Sequence, residues 1–264
     1  MQGAAFDALK IDAEYLLYDI APEDVDEFLK AAPSKGIKGL NVTIPHKIKA
    51  KEYIEKNGTL DETAKKLGAV NTIKVGDDGR LCGYNTDGPG FYRSLVEDLK
   101  FEPEGKNIFV LGAGGASTAI VMYLGNAPKS IRVSDIDNKK LDELQKHYEK
   151  HYGRNKLFIV SGNIGEALAG SDLLVNTTPV GLKADDPSPI NKSLLRPGLR
   201  VYDLIYNRPV TQLVKEANQS KAHAVTGLGM FLYQGTIAFE IWTDKKAPVA
   251  VMRKALRDAI RNID

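Results

Sequence analysis

Apolar and polar residues follow a regular alternation from about residue 101 onward. Short apolar runs, separated by segments of helical or loop character, lie at 108–111, 131–134, 157–160, 173–176, 201–205 and 222–226. Apolar strands that alternate with helices are typical of a parallel, doubly wound sheet. We therefore predict one doubly wound α/β domain over residues 101–226.

The pattern before residue 101 predicts a second α/β domain with shorter strands. These strands are expected at 14–20, 36–44, 69–75 and 81–85. Their number and the helical segments between them favour a smaller, mostly parallel sheet, although a turn rich in glycine and aspartate between the last two suits an antiparallel hairpin.

The end of the chain carries two more helical segments than a doubly wound domain requires. They follow the strand at 222–226, and Pro248 begins the second of them. We expect both helices to return to the first domain. The predicted organisation is therefore a two-domain α/β protein, with one domain from 1–86 plus 230–264, a connecting helix at 87–100, and the doubly wound domain.

A glycine turn follows the first strand of the doubly wound domain. Gly112 permits a tight turn, Ala113 follows it, Gly114 lets the backbone approach a ligand, and Gly115 and Ala116 keep the helix start free of bulk. This strand, turn and helix are how a dinucleotide pyrophosphate is bound, although such a turn can also be purely structural. The pattern predicts a Rossmann-like dinucleotide-binding domain.

Asp135 follows the second strand of that domain and lies 23 residues after Gly112. An acidic side chain at this place can accept hydrogen bonds from both ribose hydroxyls of NAD, whereas the 2′-phosphate of NADP would meet a like charge. No arginine occupies position 136 or 137 to bind that phosphate. We predict NAD as the cofactor, with NADP possible but disfavoured; the alternative is that Asp135 only caps the following helix.

Composition and charge exclude several classes of partner. The chain has 36 basic and 34 acidic residues, a formal net charge of +2, which gives no global electrostatic field that would attract nucleic acid or an anionic membrane.

A single cysteine, Cys82, cannot form an internal disulfide, and we find neither a bilayer-length apolar run nor a signal peptide. We expect a cytoplasmic protein, a monomer or homodimer. His147 and His151 suit a solvated helix face better than a metal site.

Polar residues of the first domain lie at the ends of its predicted strands, where ligand sites form on open α/β sheets. They are Asn41, Thr43, Lys47, Asn71 and Asp87. Lys47 can donate a proton to a carbonyl oxygen that becomes an alkoxide, and Asp87 can orient the lysine or a substrate hydroxyl. Alternatively, Lys47 is only an exposed charge at a helix start.

Seven motifs closely resemble those of the shikimate dehydrogenases and their quinate/shikimate relatives. The resemblance runs from residue 1 to the last helix, with the motifs in the same order. They are Asn-Val-Thr-Ile-Pro-His-Lys at 41–47, Gly-Ala-Val-Asn-Thr at 68–72, Gly-Tyr-Asn-Thr-Asp-Gly at 83–88, Gly-Ala-Gly-Gly-Ala at 112–116, Asn-Thr-Thr-Pro-Val-Gly at 176–181, Tyr-Asp-Leu-Ile-Tyr at 202–206 and Met-Phe-Leu-Tyr-Gln at 230–234. The resemblance implies reversible hydride transfer between a nicotinamide and C3 of shikimate, a cyclic polyol carboxylate, giving 3-dehydroshikimate in aromatic amino acid biosynthesis or quinate catabolism.

The same resemblance implies a role for each matching residue. Lys47 and Asp87 would be the catalytic pair. Substrate contacts would come from Thr43, Asn71, Tyr206 and Gln234, with Asn41 supporting them. The nicotinamide side of the cofactor site would be lined by Asn176, Thr177, Pro179, Gly227, Gly229 and Met230.

The sequence departs from the family in two places. Asp-Ile-Asp at 135–137 replaces an Asn-Arg-Thr-like stretch suited to NADP, and so looks more like the NAD-using quinate/shikimate branch. The family's first strand and its Ser-x-Ser turn, which grips the substrate carboxylate, have no counterpart. We expect either that Met1 is an internal methionine of a longer protein, or that the chain is a non-catalytic dinucleotide-binding remnant or sensor. An aminoshikimate-type dehydrogenase is a further alternative.

Overall fold

The computed structural model describes residues 1–261. The described chain divides into two compact units, the first formed by Met1–Pro89 and Leu232–Ala259, the second by Gly90–Phe231 together with Ile260 and Arg261. Each unit has its own sheet. The predicted two-domain α/β class with a Rossmann-like domain is confirmed.

Elements of the chain up to residue 97 alternate short strands with helices. In chain order they are α1 (Gln2–Ala8), α2 (Val25–Ala31), β1 (Gly39–Asn41), α3 (Lys47–Asn57), β2 (Thr59–Leu60), α4 (Glu62–Leu67), β3 (Thr72–Val75), β4 (Leu81–Tyr84) and α5 (Asp87–Glu97). Short 3-10 helices lie at Pro22–Asp24 and Pro33–Lys35.

The sheet of the first unit is mixed, which corrects the expectation of a mostly parallel sheet. Its strand order is β1-β3-β4-β2, with β1 antiparallel to β3, β3 antiparallel to β4, and β2 parallel to β4. The turn between β3 and β4 is closed by the Gly76 amide donating to the Arg80 carbonyl at 2.8 Å. A connection this short joins neighbouring strands only in the antiparallel direction.

Residues 14–20, which we expected to form a strand, are assigned no strand in the structure. Their apolar side chains are largely exposed, Leu17 to 91%. Contacts between aromatic rings hold the segment instead: Tyr15 lies 6.2 Å from Trp242 and Tyr18 lies 5.1 Å from Phe28, measured between ring centroids. An apolar segment becomes a strand only where a neighbouring strand pairs with it, and among the described strands none pairs with this one.

The core of the first unit lies between its sheet and the helices α2 and α3. Leu29, Ile54 and Ile73 are among the side chains buried there. The last two helices, α10 (Leu228–Thr243) and α11 (Val249–Arg261), supply further packing to this unit. Within the unit, the Trp242 indole donates to the Ile73 carbonyl at 2.9 Å, and the rings of Phe6 and Phe239 lie 5.6 Å apart.

The second unit contains the predicted strand and helix alternation. Its elements are β5 (Asn107–Leu111), α6 (Gly115–Leu124), β6 (Ser130–Ser134), α7 (Asn138–Tyr152), β7 (Leu157–Ile159), α8 (Ile164–Ala169), β8 (Leu173–Asn176), β9 (Arg200–Asp203), α9 (Gln212–Gln219) and β10 (His223–Thr226), with a 3-10 helix at Lys192–Leu194.

The sheet of the second unit is parallel and has the order β10-β9-β8-β5-β6-β7. The chain starts at the sheet centre with β5, moves outward to β7, returns to β8 beside β5, and then moves outward the other way. This is the doubly wound order, which places ligands at the carboxyl ends of the central strands. In the described part of the chain, we find no helix with both the length and the apolar character needed to cross a membrane.

Candidate active site

Lys47 and Asp87 form a close ion pair in the first unit. Lys47 begins α3 and Asp87 begins α5, and the lysine Nζ lies 2.7 Å from the aspartate Oδ2. Their side chains are 27% and 14% exposed, respectively. Lys47 is therefore a paired and largely covered lysine, which is not the environment of an isolated surface charge at a helix start.

Asn71 fixes the second oxygen of the Asp87 carboxylate. The Asn71 Nδ2 donates to Asp87 Oδ1 at 2.8 Å, while the Asn71 Oδ1 accepts from the Thr86 amide at 2.8 Å. Asn71 is only 3% exposed, so these bonds are made away from water. With Lys47 on one oxygen and Asn71 on the other, the orientation of the carboxylate is fixed.

Asn41 supports this cluster from β1. Its Nδ2 lies 3.3 Å from the Asn71 carbonyl and 3.2 Å from Thr72 Oγ1, and its Oδ1 accepts from the Tyr15 hydroxyl at 3.0 Å. The structure thus connects four of the predicted residues: Asn41, Lys47, Asn71 and Asp87. Thr72, together with Thr86, completes the network, and both threonines were missed although they lie inside the motifs at 68–72 and 83–88.

Thr43 and Gln234 lie on two other segments of the chain. Thr43 is exposed and lies in the turn before α3, where its carbonyl accepts from the His46 amide at 2.9 Å. Gln234 is half-buried on α10. Their contacts with a substrate stay predictions.

The glycine turn of the second unit lies between β5 and α6, as predicted. Gly112 has a φ of +99°, and a Cβ placed there would lie 2.5 Å from Thr177 Oγ1, so glycine is required on both grounds. Gly114 is the N-cap of α6 and has no side-chain cap. A Cβ at Gly114 or Gly115 would have no neighbour within 4 Å among the described residues.

Buried polar atoms of this turn support binding of an anion in front of α6. In the first turn of the helix, the Ser117 Oγ is buried and has no hydrogen-bond partner among the described residues. The amides that open the helix carry a partial positive charge and need acceptors. An open, uncapped helix start next to glycines fits the pyrophosphate of a dinucleotide.

Asp135 links the end of β6 to the glycine turn. Its Oδ2 accepts from the Ala113 amide at 2.6 Å and its Oδ1 accepts from the Asp137 amide at 2.8 Å. The cap of α7 is Asp137, whose side chain accepts from the Lys139 amide at 3.0 Å. The alternative in which Asp135 only caps that helix is therefore wrong, and each Asp135 oxygen keeps a lone pair for a ribose hydroxyl.

Asn176 and Thr177 support the sheet edge with side chains that are already engaged. The Asn176 Nδ2 donates to Asp203 Oδ1 at 2.9 Å, its Oδ1 accepts from the Thr178 hydroxyl at 2.7 Å, and the residue is fully buried. The Thr177 hydroxyl donates to the Leu111 carbonyl at 2.6 Å. Asn176 therefore positions the loop behind it. Sequence reasoning gave it a lining role and missed Asp203.

Asp203 is the buried acid of the second unit. Besides Asn176, it accepts from the Thr211 hydroxyl at 2.6 Å and from the Ile205 amide at 3.3 Å. Burial raises the pKa of this carboxyl above its ordinary value, while the hydrogen bonds oppose the shift. Asp203 thus holds the loops after β8 and β9 together.

The remaining predicted residues follow the strands β8, β9 and β10 along the chain. The Pro179 carbonyl accepts from the Leu182 amide at 3.1 Å. Tyr206 is partly exposed and stacks on Phe231 with ring centroids 4.6 Å apart. Gly227 contacts the Leu204 carbonyl so closely that no side chain fits, and Met230 follows in the first turn of α10.

The two units define a class of protein: a two-domain α/β oxidoreductase with a Rossmann-like unit and a lysine–aspartate pair on the other unit. Family models support a specific assignment within this class. The model of the shikimate dehydrogenase substrate binding domain matches residues 1–73, and the model of the shikimate 5'-dehydrogenase C-terminal domain matches residues 227–257.

Known proteins are similar to nearly the whole chain. The shikimate dehydrogenase (NADP(+)) of Methanopyrus kandleri is 38% identical over 270 residues, which cover 99% of this chain and 90% of the relative. The crystal structure of shikimate 5-dehydrogenase from Listeria monocytogenes with shikimate and NAD has a TM-score of 0.87 at 30% identity, covering 96% of this chain and 89% of that one. Quinate dehydrogenase from Corynebacterium glutamicum with NAD has a TM-score of 0.89 at 27% identity, covering 97% and 92%. The chain belongs to the shikimate dehydrogenase family.

Proposed function

We propose that the protein catalyses the reversible oxidation of the C3 hydroxyl of shikimate to 3-dehydroshikimate, with a nicotinamide dinucleotide as the second substrate. The observation that carries this proposal is the 2.7 Å pair of Lys47 and Asp87. The Methanopyrus kandleri relative, 38% identical to this chain, is named a shikimate dehydrogenase, which supports shikimate as the substrate. Quinate is the nearest alternative, because one structural neighbour is a quinate dehydrogenase.

The dinucleotide, when bound, supplies or accepts the hydride. The chain's own residues handle the proton and the geometry. In the reducing direction, the Lys47 Nζ donates a proton to the carbonyl oxygen as negative charge develops on it, and in the oxidising direction the same atom takes the proton from the hydroxyl. Asp87, held by Asn71, accepts a hydrogen bond from the Lys47 Nζ and keeps that atom in one place.

In this proposal, each unit binds a different ligand. Residues 1–86 with 230–264 would bind the substrate through Thr43, Asn71 and Gln234, while 101–226 would bind the dinucleotide. Tyr206, on the second unit, would add a hydroxyl contact to the substrate; stacking on Phe231 restricts the orientation of its ring.

We propose NAD as the preferred dinucleotide. The support is Asp135, whose half-buried carboxylate lies at the end of β6 with lone pairs left for ribose hydroxyls. The Methanopyrus relative is named for NADP(+), so the preference would be a property of this chain's 135–137 sequence. Steady-state kinetics with both dinucleotides test the point directly. A higher kcat/KM with NADP would contradict it.

Replacing Lys47 by methionine tests the reaction itself. We expect kcat for shikimate to fall by about 10²- to 10⁴-fold, the usual contribution of a positioned acid–base group, with unchanged dinucleotide affinity. Lys51→Met is the matched control, because Lys51 lies one turn further along α3, is covered to a similar degree at 21% exposure, and pairs with Glu55 instead of with Asp87. Its kcat should stay within about twofold of wild type, since an i, i+4 pair on a helix contributes little to stability and Lys51 has no part in the proposed proton transfer.

The assay would use shikimate and quinate, each with NAD and NADP, and calorimetry for dinucleotide binding. Near-normal turnover in the Lys47→Met variant would refute the assigned role of the lysine. Dinucleotide binding by wild type without oxidation of either substrate would refute the proposed reaction and favour a non-catalytic binding protein.

A further inference from the structure

A buried tyrosine of β9, Tyr202, has a hydroxyl group that the proposed reaction leaves unexplained. The residue is fully buried, and its ring packs edge-on against Phe91 with centroids 4.9 Å apart. A phenylalanine would occupy the same space and keep that ring contact. Because burying a hydroxyl costs free energy unless it is hydrogen-bonded, its partners show what it does.

The Tyr202 hydroxyl connects α5 to the first turn of α10 within the second unit. It donates to Ser94 Oγ at 2.7 Å and accepts from the Met230 amide at 3.1 Å. Ser94 in turn donates to Asp98 Oδ2 at 2.8 Å. The amides of a first helical turn have no acceptor within their own helix. The tyrosine therefore takes the place of a side-chain cap for α10.

Glycines make the fit of this turn, residues 227–230, unusually close. A Cβ at Gly229 would overlap Ser94 and Asp98, and one at Gly227 would overlap the Leu204 carbonyl. The Gly227 amide also donates to the Ile205 carbonyl at 2.9 Å. The turn is thus held by hydrogen bonds at both ends and by backbone contact between them.

We propose that Tyr202 is a positioning residue for the nicotinamide half of the dinucleotide site, acting through the backbone of the turn 227–230. This inference rests on the proposed function and on the nicotinamide contacts that the family resemblance implies for Gly229 and Met230. Tyr202 is fully buried, so it would act through the backbone of the turn and not by direct contact. The Tyr202 hydroxyl determines where the Met230 backbone lies. Loss of that hydroxyl would therefore change the contacts made with the nicotinamide but not those made with the adenosine half of the dinucleotide.

Tyr202→Phe removes only the hydroxyl. Tyr148→Phe is the matched control: Tyr148 is also fully buried in the second unit, and its hydroxyl lies 3.0 Å from the Gly125 carbonyl and 3.2 Å from Asn126 Oδ1. Both variants lose buried hydrogen bonds and should lose similar stability. Only Tyr202 adjoins the turn 227–230.

The readout is binding of two ligands by calorimetry. One is the reduced dinucleotide, NADH or NADPH, whichever wild type binds more tightly; the other is the matching ADP-ribose fragment, which lacks the nicotinamide. In Tyr202→Phe we expect the Kd of the dinucleotide to rise roughly five- to tenfold, the worth of about one hydrogen bond, and that of the fragment to stay within about twofold. Tyr148→Phe should leave both constants within about twofold.

Three outcomes would overturn the proposal: equal weakening of both ligands in Tyr202→Phe, the same selective loss in Tyr148→Phe, or wild-type binding to which the nicotinamide adds nothing. If Tyr202→Phe does not fold by circular dichroism, Ser94→Ala, which removes the acceptor of the tyrosine hydroxyl, is measured instead and must show the same selectivity. Binding needs no turnover. If wild type binds the dinucleotide but does not oxidise shikimate, the proposed function is refuted. The binding measurements would still test whether Tyr202 positions the nicotinamide.

Discussion

Replacing Asp203 by alanine should destabilise the protein strongly, because this fully buried carboxylate is the acceptor for side chains at the end of β8 and at the start of α9. The Thr211 hydroxyl donates to it at 2.6 Å and the Asn176 amide at 2.9 Å. Each buried donor left without a partner costs about 1–3 kcal/mol, so the two together predict a loss of about 2–6 kcal/mol. That is a large part of the ~5–15 kcal/mol by which domains are usually stable.

Asp203→Asn separates the effect of the charge from that of the shape. Burial raises the carboxyl pKa above its ordinary value of 3.8, so the folded protein holds the proton to a higher pH than the unfolded chain does. By linkage, the stability that this group contributes is fully present below 3.8 and is lost as the pH rises through the raised pKa. Asparagine does not titrate, so the Asp203→Asn variant does not lose this stability as the pH rises. The free energy of unfolding of the variant, minus that of wild type, should therefore increase from pH 4 toward pH 7.

Urea unfolding of wild type, Asp203→Ala and Asp203→Asn at several pH values between 4 and 7 measures both effects. Asp258→Asn is the control, because Asp258 is an exposed partner of Lys254 and should change stability by less than about 0.5 kcal/mol. A loss below about 1 kcal/mol in Asp203→Ala would show that neighbouring groups or water replace the lost acceptor. A difference between Asp203→Asn and wild type that is constant or decreases with rising pH would refute the raised pKa.

Two further substitutions test the dinucleotide half of the site. In urea unfolding, Gly112→Ala should lower the free energy of unfolding by about 1–3 kcal/mol more than Gly153→Ala does, and it should also weaken dinucleotide binding. Both glycines have positive φ, but only at Gly112 would the new Cβ meet Thr177. Equal losses in the two variants would show that Thr177 moves aside. Asp135→Asn should lower kcat/KM for NAD by about tenfold relative to NADP, since it removes the charge that repels a 2′-phosphate; an unchanged ratio would exclude Asp135 as the selector.

The second unit was predictable because its signals are local. The apolar runs gave strand positions within about two residues, since a strand buried on both faces of a parallel sheet is apolar along its whole length. The glycine turn was equally clear, because the positive φ of Gly112 and the close approach of Thr177 both require glycine. Neither feature needs knowledge of distant parts of the chain.

The first unit shows where local signals stop. Residues 14–20 have the composition of a strand, yet Leu17 is 91% exposed because no described strand pairs with the segment. The direction of β1 relative to β3 was equally open, since three residues, Gly39–Asn41, carry no information about their neighbour. Pairing is a property of two segments, so one segment alone cannot specify it.

The support of the dinucleotide site could not be predicted for the same reason. In the motif at 202–206, sequence reasoning assigned a role to the exposed Tyr206, while the buried Tyr202 and Asp203 had no local signal of their own. Their partners, Ser94 and Thr211, lie on other elements and become neighbours only in the folded unit.

The residues proposed to bind the substrate and those proposed to bind the dinucleotide are therefore supported differently within their own units. On the first unit, the polar side chains of Lys47, Asp87 and Asn71 bond to one another and would also contact the substrate. On the second, the backbone of the glycine turn and of residues 227–230 would face the ligand, while buried polar side chains behind it fix that backbone. It follows that substitutions behind the second site should change affinity through geometry, whereas substitutions in the first should change the rate.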